Sequence, residues 1–223
     1  MLYGMPTAHL TLAALMSLAC GQLSCLQLVL VERQNMPVSS IPSNSVAGRV
    51  ILTTAMNTDA RQAYADLPED TKAKIKDLVA VHSFLHNRQT ANPDSPLFKG
   101  RNVLDEPTAR HKLVPIHEHT KRPVLYATAY AHHIEGMPIE EGQALINELI
   151  KHASQPKYVF KHTWTSPGDV AIWDNTAVLH RATPGAYEGL YKRDMRRTCV
   201  HDSGPDAYGL NNPEEAKNQA NSS

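Results

Sequence analysis

The sequence predicts a β-sandwich or jelly roll with a few helices packed against it. Strand-like segments separated by short turns occupy residues 157–202, one clear amphipathic helix precedes them, and no internal repeat interrupts the pattern. The 223 residues suit one domain with a substantial core. A content of 42% hydrophobic and 20% charged residues is typical of a globular chain.

The first 50 residues differ from the rest in composition. Residues 1–31 contain no Asp, Glu, Lys or Arg, and the apolar run over residues 8–31 is long enough to cross a bilayer. Because polar residues interrupt this run and no basic residue precedes it, we expect a buried segment, or a start that does not belong to the ancestral domain, rather than a membrane anchor or signal peptide. A linker rich in Pro and Ser follows over residues 35–48. We therefore assign residues 1–50 to an atypical N-terminal segment and expect a cytoplasmic protein, with membrane anchorage as the alternative.

Helical patterns follow the linker. The stretch "TDARQAYADLP" (58–68) predicts a short helix that ends before Pro68, and a second helix is expected to begin at "PEDTK". The clearest helix is predicted over "PIEEGQALINELIKHASQ" (138–155), which starts with Pro and two acids and then shows apolar residues near one face. Residues 86–112, with three prolines, predict a long polar connection.

Strand patterns dominate the later part of the chain. The stretch "PVLYATAYAHHIEG" (123–136) predicts a strand or a pair of strands. The stretch "KYVFKHTWTSPGDVAIWDNTAVLHRA" (157–182) predicts three strands joined by Pro-Gly-Asp and Asp-Asn turns, and residues 190–202 predict a further strand. A polar, disordered tail is expected over residues 209–223. The folded domain is thus predicted over residues 51–208.

Charge and cysteine content exclude several function classes. Lys+Arg and Asp+Glu both number 22, so no electrostatic field for nucleic acid is indicated. Three cysteines without a CxxC motif favour neither a zinc site nor a disulfide framework. The expected partner is a small molecule, and the oligomeric state is left open.

Candidate site residues lie in the last strands. His180 shares a strand face with the apolar Val178, so an inward-pointing histidine is expected, either as a hydrogen-bonded core residue or as a metal ligand. In the next strand, Arg193 and Arg197 share one face and Arg196 lies on the other, so at least one guanidinium is expected to face inward if the strand is central. A buried guanidinium needs an anion. A protein acid such as Asp169 or Asp174 and an anionic cosubstrate are both possible partners.

The combination "GDVAIWDNTAVLHRA…YKRDMRRT" closely resembles the C-terminal signature of the TauD/TfdA-like dioxygenases, and the resemblance extends over residues 59–202. It implies a double-stranded β-helix and a non-haem Fe(II)- and 2-oxoglutarate-dependent dioxygenase that oxidises a C–H bond of a small organic substrate. It also implies that His180 is the distal iron ligand, that Arg193 pairs with 2-oxoglutarate, and that Arg197 meets an anionic group of the substrate.

The same resemblance implies a His-x-Asp or His-x-Glu pair upstream, which is not found at the expected place. Among the twelve histidines, only His133 has an acid two residues later, Glu135. This pair is expected to be ordinary strand-end polar residues rather than a replacement. Near Thr53 and Thr54, the Gly-Gly that precedes the family's 2-oxoglutarate-binding threonine is absent. A jelly roll incomplete on its N-terminal side, a misassigned gene start, or a relative that has lost iron would each explain this. With one protein ligand, weak Fe(II) binding is expected. The alternative function is therefore a catalytically incomplete relative, acting as a binding or interaction module.

Overall fold

Nine strands and four α-helices make up the part of the chain that the structure describes. The structure is a computed structural model, and it describes residues 25–31, 52–164, 170–182, 195–201, 206–212 and 214. The strands are β1 (Cys25–Val31), β2 (Leu52–Asp59), β3 (Val79–Ser83), β4 (Thr108–Lys112), β5 (Ala131–Ile134), β6 (Val159–Trp164), β7 (Val170–Asp174), β8 (Val178–Ala182) and β9 (Met195–His201). The helices are α1 (Ala60–Ala65), α2 (Glu69–Ile75), α3 (Phe84–Ala91) and α4 (Ile139–Ala153).

Six of the strands form two three-stranded antiparallel sheets. One sheet has the order β7-β1-β9 and the other the order β6-β2-β8. From β6 to β9, successive strands therefore alternate between the two sheets, as they do in a jelly roll. Strand β1 pairs with β7 and β9, so the N-terminal apolar segment contributes a central strand over Cys25–Val31, and residues 1–24 lie outside the described part.

A third sheet, β4-β3-β5, carries the main helix and the hydrophobic core. Helix α4 packs on β5, and Gly142 permits the close approach, because a Cβ there would come within 3.0 Å of the backbone nitrogen of Ile134. Leu145, Ile146 and Leu149 of α4 are buried in this core. The predicted apolar face of the helix is therefore confirmed, except that Ile139 is exposed.

The predicted long connection over residues 86–112 is wrong in part. Helix α3 and strand β4 occupy much of it, together with a short 3-10 helix at Val103–Asp105. Ser83 starts α3 by accepting a hydrogen bond from the backbone N–H of His86. Because α3 presents no continuous apolar stripe, its periodicity could not be seen in the sequence.

The predicted disordered tail is wrong for its first residues. Leu210 donates a backbone hydrogen bond to the carbonyl oxygen of Arg110 in β4, and the side chain of Asn211 accepts one from the N–H of Arg110. Residues 206–212 thus bind the outer edge of β4, which would otherwise be an unpaired strand edge. Residues 215–223 lie outside the described part.

None of the helices within these ranges combines the length and the hydrophobicity that crossing a bilayer requires.

Candidate functional site

His180 lies in β8, an outer strand that pairs with the central strand of its sheet. Strand β2 is the centre of the β6-β2-β8 sheet, and Asn57 of β2 is directly opposite both His180 of β8 and Phe160 of β6. Directly opposed residues of antiparallel strands project from the same face. These three residues therefore share one face, which we call the His180 face.

The opposite face of this sheet packs on the core. Thr58 is buried, and its direct partner Leu179 packs against the hydrophobic cluster. The expectation that His180 points toward the core is therefore wrong: Leu179 takes that direction, and His180 is exposed. Phe160, on the His180 face, is 65% exposed. The His180 face is thus accessible to a ligand.

Trp173 and the turn after β7 support the position of His180. The ring centroids of Trp173 and His180 lie 5.3 Å apart, with the planes tilted by 52°. The indole N–H of Trp173 donates to Oδ1 of Asn175 at 2.8 Å. The backbone N–H of Ala60 donates to the carbonyl oxygen of the buried Ala177, which ties the turn to the start of α1. The predicted Asp-Asn turn is confirmed, and it sets the orientation of the strand that carries His180.

Asp174 is held by a histidine from a distant segment. Nε2 of His117 lies 2.9 Å from Oδ2 of Asp174, and the His117 side chain is only 4% exposed. The other carboxylate oxygen accepts hydrogen bonds from the backbone N–H and the hydroxyl of Thr176. Partial burial raises the pKa of Asp174, but the hydrogen bonds from Thr176 and His117 outweigh it, and the pKa lies below its ordinary value. The carboxylate is therefore the stable form at neutral pH.

Of the two predicted arginines, the structure describes the backbone of Arg197. Arg193 and Asp169 lie outside the described residues, as do the side chains of Arg197, Thr53 and Thr54. The backbone places Arg197 in β9, opposite Val29 of β1. Of the two acids suggested as arginine partners, Asp174 has His117 and Thr176 as its observed partners.

The His133–Glu135 pair belongs to a different sheet from His180. Glu135 forms an ion pair with Arg110 of β4, with Nη2 of the arginine 2.9 Å from Oε2. Nδ1 of His133 lies 2.9 Å from Nδ1 of His132. The expectation of ordinary polar residues at a strand end agrees with these contacts.

The described residues offer one candidate ligand for a metal ion, but not a full set of ligands. Within the ranges given above, no group of three or more His, Cys, Asp or Glu side chains is arranged to hold a metal ion. His180 offers one imidazole on an accessible face. A cavity of about 330 Å³ lined by residues such as Tyr64, Lys112 and Leu210 includes none of the predicted site residues.

One site feature was missed in the sequence. His117 lies within "VPIHEHTKRP", a segment without periodicity, 57 residues before Asp174. No local pattern indicates a contact over that separation. A histidine flanked by turn residues was the only signal present.

Several known proteins are similar in sequence to this chain. An alpha-ketoglutarate-dependent 2,4-dichlorophenoxyacetate dioxygenase of Burkholderia sp. (strain RASC) is 40% identical over 142 residues, which are 64% of this chain and 46% of that protein. An (S)-phenoxypropionate/alpha-ketoglutarate-dioxygenase of Sphingobium herbicidovorans is 38% identical over 131 residues, 56% of this chain and 45% of that protein. The chain thus spans about half the length of these curated relatives.

Solved structures show the same fold. The crystal structure of AAD-2 in complex with Mn(II) and N-oxalylglycine matches with a TM-score of 0.67 and 27% identity, covering 82% of this chain and 65% of that chain. This likeness confirms the predicted jelly roll. The profile of the family described as "Taurine catabolism dioxygenase TauD, TfdA family" matches residues 56–199, well over half of the sequence. The chain accordingly belongs to the TauD, TfdA family of dioxygenases.

Proposed function

We propose that the chain acts as a non-haem Fe(II)- and 2-oxoglutarate-dependent dioxygenase that oxidises a C–H bond of a small, anionic organic substrate. The observation that carries this proposal is the position of His180. It stands exposed on one face of the β6-β2-β8 sheet, against Trp173, in the strand that follows a turn fixed by hydrogen bonds. A ligand histidine needs such a rigid support and an accessible face.

Three residues have proposed roles. His180 supplies one imidazole ligand to iron, Arg193 binds the distal carboxylate of 2-oxoglutarate, and Arg197 binds an anionic group of the substrate. Guanidinium groups suit the last two roles because their planar donors match carboxylate geometry. Iron with 2-oxoglutarate would supply the oxidising power, one oxygen atom of O₂ entering succinate and the other the product, with release of CO₂.

The substrate class is inferred from two observations. The two relatives compared above are named for 2,4-dichlorophenoxyacetate and (S)-phenoxypropionate, which both carry a carboxylate on an aryloxy group. In this chain, the aromatic Phe160 is exposed on the His180 face. An aromatic ring beside the candidate metal ligand would contact the apolar part of such a substrate, while Arg197 would bind its anion.

One observation favours a second candidate function. The described residues contain no group of three metal-ligating side chains. A relative that keeps the anion-binding arginines without iron, and acts as a binding module, would have this arrangement. Formation of succinate from 2-oxoglutarate distinguishes a dioxygenase from such a binding module.

Turnover of 2-oxoglutarate tests the proposal. The purified chain is incubated with Fe(II), ascorbate, 2-oxoglutarate and phenoxyacetate as the probe, and succinate is measured by NMR. We expect succinate above the protein-free level and loss of that succinate in His180→Ala. The rate should be low, because the sequence lacks the upstream His-x-Asp pair that would complete the iron ligands.

The control is His133→Ala, a histidine of the third sheet, which should keep the wild-type rate. Succinate at the protein-free level in the wild type, together with binding of 2-oxoglutarate in calorimetry, would favour the binding module. Equal succinate in wild type and His180→Ala would remove His180 from the site.

A further inference from the structure

The hydrogen bonds of His117 define which of its nitrogens carries the proton. The backbone N–H of Thr120 lies 3.1 Å from Nδ1 of His117 and can only donate. Nδ1 is therefore an acceptor, and the proton of the neutral ring is on Nε2. That nitrogen donates to Oδ2 of Asp174 at 2.9 Å. His117 is thus fixed at both nitrogens, in a ring that is almost fully buried.

Asp174 links His117 to the turn between β7 and β8. Its second oxygen accepts two hydrogen bonds from Thr176, at 2.8 Å from the backbone nitrogen and 2.6 Å from the hydroxyl. One carboxylate therefore connects the segment around His117 with Thr176, in the middle of the turn between β7 and β8. Charge-assisted hydrogen bonds of this kind are stronger than neutral ones.

The turn leads directly to His180. Trp173 precedes Asp174 in the chain, and its indole ring lies against the His180 ring. Strand β8 begins at Val178, four residues after Asp174, and carries His180. A displacement of Asp174 would therefore reach His180 along two routes, through the ring of Trp173 and through the first residues of β8.

We propose that His117 is a positioning residue for His180, acting through Asp174 and the turn between β7 and β8. It contacts neither the proposed metal nor the substrate. Its function is to keep the His180 imidazole in one orientation on the His180 face. The catalytic meaning of this role rests on the proposed dioxygenase function, but the structural coupling does not depend on it.

The coupling is testable by NMR on the full chain labelled with ¹⁵N in histidine and tryptophan. The His180 ring signals are assigned by their loss in His180→Ala, and the indole signal of Trp173 is distinguished from that of Trp164, the second of the two tryptophans, by Trp164→Phe. His117→Asn retains an acceptor near Nδ1 but cannot reach Asp174. His117→Gln places an amide nitrogen near the position of Nε2.

We expect His117→Asn to shift and broaden the His180 and Trp173 signals, and His117→Gln to restore most of the wild-type spectrum. Asp174→Asn should cause similar shifts, and the double variant His117→Asn/Asp174→Asn should add little, because residues of one network are not additive. His133→Asn, in strand β5 of the third sheet, is the control and should leave both signals unchanged.

Unchanged His180 and Trp173 signals in His117→Asn would overturn the proposal, as would shifts that add fully in the double variant. If His117→Asn does not fold, Asp174→Asn and His117→Gln decide by the same two signals. Absence of succinate would contradict the dioxygenase function but would leave the NMR spectra interpretable. A failure of the proposed function can therefore be distinguished from a failure of the proposed coupling.

Discussion

Asn57 lies directly opposite His180 across the β2–β8 pair, and its Oδ1 is buried without a hydrogen-bond partner among the described residues. A buried acceptor without a donor is unfavourable to folding. It lies beside His180, the candidate metal ligand.

Replacing Asn57 by Leu is therefore expected to stabilise the protein. Leu is close in size and removes the unpaired acceptor, whose burial costs roughly 1–3 kcal/mol. We expect a gain of about 1 kcal/mol in the free energy of unfolding, measured by urea denaturation. Asn57→Asp should be destabilising, because a charge is harder to bury than an amide. A clear loss of stability in Asn57→Leu would show that Oδ1 has a partner in solution, such as an ordered water.

Stability should fall with acid because two histidines are buried side by side. His82 and His111 are 5% and 4% exposed, and their ring centroids lie 5.4 Å apart. Burial lowers the pKa of His82 to about 3, with a further contribution from His111, and burial lowers the pKa of His111 to about 4. In the unfolded chain, both titrate near ~6.5. The stability they contribute is thus complete above pH ~6.5 and is lost as the pH falls toward the folded values.

Thermal unfolding at pH 5 and pH 7.5 measures this effect. Each histidine contributes up to about 1.4 kcal/mol per pH unit below ~6.5, so the Tm should drop clearly at pH 5. His82→Phe keeps a ring to stack on Tyr126, which lies 4.8 Å away between centroids, and should reduce the pH dependence. The exposed His119→Phe is the control. An equal pH dependence in His82→Phe and wild type would contradict the assignment.

Local sequence patterns were sufficient to predict the helices and strands whose ends are set by neighbouring residues. Helix α1 has Asp59 as its N-cap, accepting from Arg61 and Gln62, and α4 begins with Pro138 and two acids. The strands β6, β7 and β8 follow the alternation and turn residues of the sequence. These features depend on neighbours within a few residues, which is why the sequence was sufficient.

Contacts between distant segments could not be predicted in this way. The His117–Asp174 bond and the binding of residues 206–212 to β4 join parts of the chain that no periodicity connects. The direction of His180 was also predicted wrongly, because the alternation within β8 shows that His180 and Leu179 face opposite ways but not which of them meets the core.

The pair of Arg110 and Glu135 should matter little to stability and not at all to the site. Their side chains are 49% and 35% exposed, and surface ion pairs contribute about 0–1 kcal/mol. The hydrogen bond from Arg110 lowers the pKa of Glu135. We expect Glu135→Gln to lower the free energy of unfolding by less than about 1 kcal/mol and to leave Fe(II) binding, measured by calorimetry, unchanged. Weaker Fe(II) binding in Glu135→Gln would instead indicate that His133 and Glu135 bind the metal.

Gly209 permits residues 206–212 to approach β4. Its φ is +60°, in the left-handed region, and a Cβ there would overlap the imidazole of His111 and come within 2.7 Å of the carbonyl oxygen of Arg110. Gly100 is a matched glycine: its φ is +77°, but a Cβ there would meet nothing within 4 Å. The two positions therefore share the backbone strain and differ in the clash.

Gly209→Ala should accordingly destabilise the protein more than Gly100→Ala. Both variants carry the left-handed penalty of about 1–2 kcal/mol, and only Gly209→Ala adds the overlap with the buried His111. Because the segment is held by the hydrogen bonds of Leu210 and Asn211 to Arg110, the strain is relieved by its release from β4. Hydrogen exchange should then show faster exchange of the Arg110 and Leu210 amides in Gly209→Ala, with the protection of β4 kept in Gly100→Ala. Equal exchange in the two variants would mean that the segment does not hold the edge of β4 in solution.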